Sequence, residues 1–313
     1  RSWIEDAIPR APEAIPVNVE LYGDPRCSYV LGLDPARYND NFAAVVLKLT
    51  ERGKELVYCD AWQRTAYDIS VERIREICKR FNIQYIAMDA GGGGDTVRDL
   101  LCKKDQRVEP NDLIWQIPDQ LENPADLANP GRKILEIVNF NPGWMEDSAH
   151  NLEASIQQKR LLFPYKGEDQ LVQSQYVRHF SEIEITDTIK ELLQQDLWGL
   201  DEWEANKLKG VKPKLGIYQN IQECINETCA IVRTVTSAGL VKFELPRLSE
   251  QPEGLDMRRR DRFSALLLAN YAAKVYLGHG HKPKNIVGAS TSEYRKRRSF
   301  TKGFTRRKGF AAY

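Results

Sequence analysis

The chain has 313 residues and a formal net charge of +1, enough length for one large domain or two small ones with a sizeable core. No apolar run approaches the ~20 residues of a membrane span, and the start, Arg1 to Asp6, carries neither an apolar signal region nor an initiator Met. A membrane span and a secretory leader are therefore not expected, and the chain reads as a piece of a longer one.

Residues 1–27 hold Pro9, Pro12, Pro16, Pro25 and Gly23 and read as a linker or arm. Ser28 to Asp34 is a short apolar strand ending in an acid, stopped by Pro35. Residues 42–49 and 55–62 are two more strands, and the short gaps favour an antiparallel meander. Ser70 is expected to cap a helix over 71–81, where Ile74, Ile77, Cys78 and Phe81 recur on one face. Gln84 to Asp89 is a fourth strand, again ending in an acid, broken by Gly91 to Gly94 ahead of a helix near 95–104. A helical crossover usually returns a strand parallel to an earlier one. If the fourth strand lies beside the first, Asp34 and Asp89 share one sheet edge, which is the ribonuclease H-like arrangement.

Residues 112–118 and 134–140 carry further apolar segments, and 148–160 and 181–196 look helical. Residues 197–220, rich in Lys, Trp and Gly, look irregular. Residues 229–236 and 240–246 form a hairpin pattern around Ser237-Ala238-Gly239, and Asp261 opens a strongly apolar helix to about Leu277. The expected fold is α/β: a mixed sheet, antiparallel meander plus parallel strands, flanked by helices, with an added β-hairpin. The expected layout is an arm (1–27), one domain (28–281) and a basic tail (282–313).

That tail has ten Lys and Arg residues against Glu293, a net +9, leaving −8 on the body. A polyanion or an acidic protein face is one partner for it, and a solvated tail is the other reading. The six cysteines show no CxxC spacing and suit reduced core positions. His279-Gly-His281 reads as a helix-ending loop rather than a metal site.

Asp34, Asp89 and Asp261 are acids at element ends, the placement that phosphodiester hydrolysis with two hard cations requires. Each alone also suits a turn or a cap. Asp256 stands nearby as a substitute or auxiliary acid. Arg258, Arg259, Arg260 and Arg262 flank Asp261 as candidate contacts to DNA phosphates, or as a solvated charge run. Arg233 and Lys242 on the hairpin are weaker candidates. Asp89 to Thr96 also resembles the phosphate loop of actin-like ATPases, although Pro35-Ala36-Arg37 replaces that family's first loop. No GxxxxGK[ST] occurs.

Four stretches resemble the nuclease portion of bacteriophage terminase large subunits: Gly32-Leu33-Asp34-Pro35-Ala36, Met88-Asp89-Ala90-Gly91-Gly92-Gly93, Val138-Asn139-Phe140-Asn141-Pro142, and Arg260-Asp261-Arg262-Phe263-Ser264 running on to Ala269. Gln158 to Pro164 also looks familial, so the likeness spans about residues 28–277. The resemblance implies an endonuclease that cuts concatemeric viral DNA during genome packaging, with two Mg²⁺ or Mn²⁺ ions on Asp34, Asp89 and Asp261. It further implies double-stranded DNA, a portal and a small terminase subunit as partners, an N-terminal ATPase domain in the full-length chain, and action in the host cytoplasm. A junction resolvase or transposase of the same fold class is the alternative enzyme.

Overall fold

The structure is a computed structural model, and it describes residues 4, 6–8, 17–36, 41–103, 108–164, 202–235, 241–246 and 259–279. The chain divides into two compact units, Arg1–Pro283 and Lys284–Tyr313, and the described residues all belong to the first. The basic tail, the 181–196 segment, Asp256, Arg258 and His281 lie outside the described residues.

Three strands follow one another in the expected meander: β1 (Ser28–Asp34), β2 (Phe42–Thr50) and β3 (Gly53–Trp62), each antiparallel to the next. Helix α1 (Tyr67–Arg80) then crosses over to β4 (Ile83–Asp89), which lies parallel to β1. After α2 (Gly94–Cys102), β5 (Ile114–Gln116) and β6 (Arg132–Val138) extend the parallel half. Helix α3 (Pro142–Gln157) leads to β7 (Leu161–Leu162), parallel to β3 at the opposite edge. The sheet order is β5-β6-β4-β1-β2-β3-β7. This mixed sheet with flanking helices is the ribonuclease H-like fold. β1 sits at its centre, where both neighbours and both faces are covered, so Tyr29, Val30, Leu31 and Leu33 are fully buried.

Helix α4 (Glu202–Ala230) precedes a small hairpin, β8 (Val232–Val235) and β9 (Val241–Glu244), which forms its own two-stranded sheet. Helix α5 (Asp261–Gly278) packs on β1, β2 and β4. Its apolar residues are spread around the whole helix because it is buried on nearly every side: Phe263, Leu266, Leu267, Leu268, Ala272 and Tyr276 are all inaccessible. Among the described residues no helix is long and apolar enough to cross a membrane.

Four expectations need correction. Residues 197–220 are not irregular where described: a continuous helix runs from Glu202 to Ala230, because Ile217, Ile221, Cys224 and Ile225 share one stripe that the core buries. The hairpin accordingly starts later than 229. Ser70 does not cap α1, which begins a turn earlier at Tyr67 after Ala66; the buried Ser70 hydroxyl instead accepts from Trp62 Nε1 at 2.9 Å. Helix α3 starts at Pro142 rather than near 148, with Asn141 Oδ1 accepting from the Trp144 N–H at 2.9 Å, so the Asn-Pro pair is an N-cap followed by proline at the first helical position. Part of the expected arm packs against the sheet: Val17 and Val19 are buried, and the Glu20 N–H donates to the Val57 carbonyl at 2.9 Å.

Candidate metal centre

β1 and β4 are adjacent and parallel, with Leu33 opposite Met88. Each strand ends one residue later in an acid, so Asp34 and Asp89 stand at neighbouring positions on the same sheet edge. β2 runs the other way and pairs Ala43 with Asp34, which places its entry residues Asn41 and Phe42 just beyond that edge. The Asn41 backbone N–H donates to Asp261 Oδ2 at 2.7 Å. The first residue of α5 therefore reaches toward the edge where the two strand acids end, near enough for the charges of Asp261 and Asp89 to act on Asp34.

A close helix–strand contact makes this possible. A Cβ at Gly32, two residues before Asp34, would lie 2.1 Å from the Ala265 carbonyl oxygen and 2.4 Å from the Ala269 nitrogen. Only a residue without a side chain lets α5 settle this deeply onto β1. The glycine run after Asp89 has a related use. Gly92 has φ +60°, and a Cβ there would lie 2.0 Å from the Pro35 carbonyl oxygen, so the run packs against the turn that follows Asp34.

Asp34 is pushed well above the ordinary carboxylate range, first by burial, then by the negative charges of Asp261 and Asp89. A hydrogen bond with Ser264 and the positive charge of Arg260 pull the other way. Ser264 lies three residues after Asp261, on the same face of α5, so one helix supplies both an acid and the hydroxyl that meets Asp34. Asp89 is also raised, mainly by burial, while the backbone N–H groups of Gly91 and Ala90 act to lower it. Burial has thus gathered like charges with one arginine as modest relief, an environment that a divalent cation would stabilise. The donors are hard carboxylate oxygens, which suit Mg²⁺ or Mn²⁺. Among the described residues no group of three or more His, Cys, Asp or Glu side chains is placed to hold a metal ion. Mg²⁺ sites commonly use only one or two carboxylates per ion and complete the shell with water and phosphate oxygens.

The expected arginines divide. The Arg262 guanidinium is engaged inside the protein, with Glu227 at 2.9 Å and Asn220 Oδ1 at 2.9 and 3.1 Å. It therefore fastens α5 to α4. Arg259 Nη1 donates to Asn41 Oδ1 at 3.4 Å, and Arg260 Nη1 donates to the Phe243 carbonyl, tying the hairpin beside the site. On the hairpin, Arg233 faces Glu146 and Lys242 faces Glu244, each at 3.5 Å.

Three further residues of the site went unread in the sequence. Ser264 was discoverable from its i,i+3 spacing to Asp261. Asn41 works through its backbone, which no side-chain pattern reveals. Glu227, on α4, is 3 % exposed, and its Oε2 accepts from the Phe263 N–H at 2.9 Å. Burial outweighs the pull of Phe263 and Arg262 and raises its carboxyl to about 7.

Residues 31–157 match the sequence family described as the terminase RNaseH-like domain. No curated protein matches the chain. Similar solved structures include the large terminase nuclease of thermophilic phage G20c with bound magnesium, at 12% identity over 85% of this chain and 93% of that one, TM-score 0.44. The large terminase nuclease domain of Thermus phage P74-26 gives 12% identity over 85% of this chain and 88% of that one, TM-score 0.41. The large terminase of bacteriophage HK97 gives 12% identity over 82% of this chain and 40% of that one, TM-score 0.42.

Proposed function

We propose, from the match of residues 31–157 to the terminase ribonuclease H-like domain family, that this chain is a metal-dependent DNA endonuclease serving viral genome packaging. The observation that carries the reading is the approach of Asp34, Asp89 and Asp261 to one sheet edge, with Asp34 half-buried and under the charge of both others. A solitary turn or cap aspartate would face solvent or bond its own backbone. Asp89 bonds its own following backbone at Ala90 and Gly91, but Asp34 meets Ser264 of α5 and Asp261 meets the Asn41 N–H, partners far away in the chain, and these support the reading.

Asp34, Asp89 and Asp261 would be the residues to hold the divalent ions, Mg²⁺ or Mn²⁺. When bound, such ions supply an ionised water near neutral pH and charge compensation at the leaving oxygen. The protein's own contribution is orientation. Ser264 holds Asp34, the N–H groups of Gly91 and Ala90 hold Asp89, and the Asn41 N–H holds Asp261. Fixing the carboxylates before substrate arrives lowers the reorganisation needed in the reaction. The metal-free site favours protonated acids, so cation binding should release protons and strengthen as pH rises.

DNA would be held through its backbone, with Arg259, Arg260 and the undescribed Arg258 the candidates on this side, giving little sequence preference. A portal, a small terminase subunit and a linked ATPase domain, acting at a procapsid in the host cytoplasm, complete the proposed setting. The test is a plasmid-nicking assay with Mn²⁺ or Mg²⁺. The chain is expected to nick and linearise DNA only with the metal, and Asp34→Asn to abolish it. Undiminished cutting by Asp34→Asn would remove the basis of the assignment.

A further inference from the structure

We propose that Glu227 is a positioning residue that sets the place of Asp261 through the first turn of α5. The inference rests on the three-acid reading and extends it to a residue that touches neither substrate nor the reacting atoms.

The first N–H groups of any helix lack partners within the helix. In α5 the third of these, on Phe263, is taken by Glu227 Oε2 at 2.9 Å. The other oxygen, Oε1, accepts from Arg262 Nη1 at 2.9 Å. One buried carboxylate thus binds the backbone of Phe263 and the side chain of Arg262, the two residues that follow Asp261. Cys224, one turn earlier on α4, points its sulfur at the Arg262 carbonyl at 3.5 Å. The first turn of α5 is therefore gripped from α4 at both its amide and carbonyl groups. Asp261 is then held on two sides: its side chain by the Asn41 N–H, and its backbone through Glu227.

A helix start is ordinarily the part that frays most readily. It is poorly suited to carry a ligand whose place must hold to a fraction of an ångström. Glu227 removes that freedom. Asn220 offers a control, since it also holds Arg262, at 2.9 and 3.1 Å, but has no contact with the Phe263 backbone among the described hydrogen bonds.

The test measures Mn²⁺ binding by calorimetry alongside nicking kinetics and thermal melting. Glu227→Ala is expected to weaken Mn²⁺ binding by ~10-fold or more, the usual scale for losing a residue that orients a ligand. It should lower kcat while leaving KM for DNA little changed. Glu227→Gln, which keeps an acceptor for the Phe263 N–H and the side-chain volume, should recover much of the affinity and reports even if the alanine variant does not fold. Asn220→Ala should lower the melting temperature yet bind Mn²⁺ normally. The proposal is overturned if Glu227→Ala binds Mn²⁺ as the wild type does, or if Asn220→Ala loses as much affinity. Asp261→Asn separates the two levels. If it loses metal while Glu227→Ala does not, only the positioning role fails. If it too binds normally, the three-acid reading fails with it.

Discussion

Replacing Gly32 by alanine tests whether the depth of α5 against β1 sets the activity. The added methyl would sit 2.1 Å from the Ala265 carbonyl oxygen and 2.4 Å from the Ala269 nitrogen. Carbon–oxygen contacts normally begin at ~3.3 Å, so helix and strand must separate by roughly 1 Å. Both are backbone atoms, and α5 is buried from Phe263 to Asn270 around them, so the strain cannot be relieved locally. Overpacking of this kind costs about 1–3 kcal/mol. For a domain of this size, that corresponds to a fall of roughly 3–10 °C in melting temperature. Asp261 lies one turn before Ala265 and shares the retreat of the helix. A displacement of about 1 Å in a catalytic array costs on the order of 100-fold in rate. The measurements are nicking rate with Mn²⁺ per folded molecule and thermal melting of the same sample. Gly32→Ala is expected to remain folded at 25 °C and to nick on the order of 100-fold more slowly. A variant that is destabilised yet nicks normally would show that the acids do not depend on this contact, and the reasoning would fail.

Two further outcomes follow from the buried charges. In chelator-treated protein, the raised Asp34 carboxyl contributes stability that is full below its unfolded value near 4 and is lost as pH rises through its folded value. Asp34→Asn should therefore melt increasingly above the wild type as pH goes from 4 to 8, whereas adding Mn²⁺ should raise only the wild type; a pH-independent gap would refute this. Lys54 is lowered from its ordinary 10.5 to about 8, chiefly by burial, then by the charges of Arg160 and Lys274, and its Nζ donates to Ser155 and Asn270. The unfolded chain then binds the proton more tightly, so stability should rise by about 3 kcal/mol between pH 8 and 10.5. Urea denaturation should show that rise in the wild type and not in Lys54→Met; the same slope in both would contradict it.

The core of the fold was legible because its signals are local. The apolar runs of β1 to β4 are bounded by turns, and two of them end in an acid, which was enough to place Asp34 beside Asp89. The apolar run from Asp261 was long enough to declare a buried helix. What stayed hidden depended on tertiary partners. Helix α4 was obscured by its Lys, Trp and Gly content until the core claimed one stripe of it. Ser70 has the residue type of a cap, but Trp62 occupies its hydroxyl. Arg262 belongs to a run that reads as phosphate-binding, but Glu227 and Asn220, more than thirty residues earlier, hold its guanidinium. Asn41 contributes a backbone donor, which leaves no trace in residue type.

The order of the acids along the chain has a consequence for biosynthesis. Two of them arrive early, on strands that can pair as soon as they leave the ribosome, and both lie inside the stretch 31–157. The third waits until residue 261, on the helix that also covers the middle of the sheet. A nascent or prematurely terminated product that stops before this helix is left with an incomplete acid set and an uncovered sheet. On the proposed three-acid reading, the reaction is withheld until the same segment both seals the core and delivers the last carboxylate.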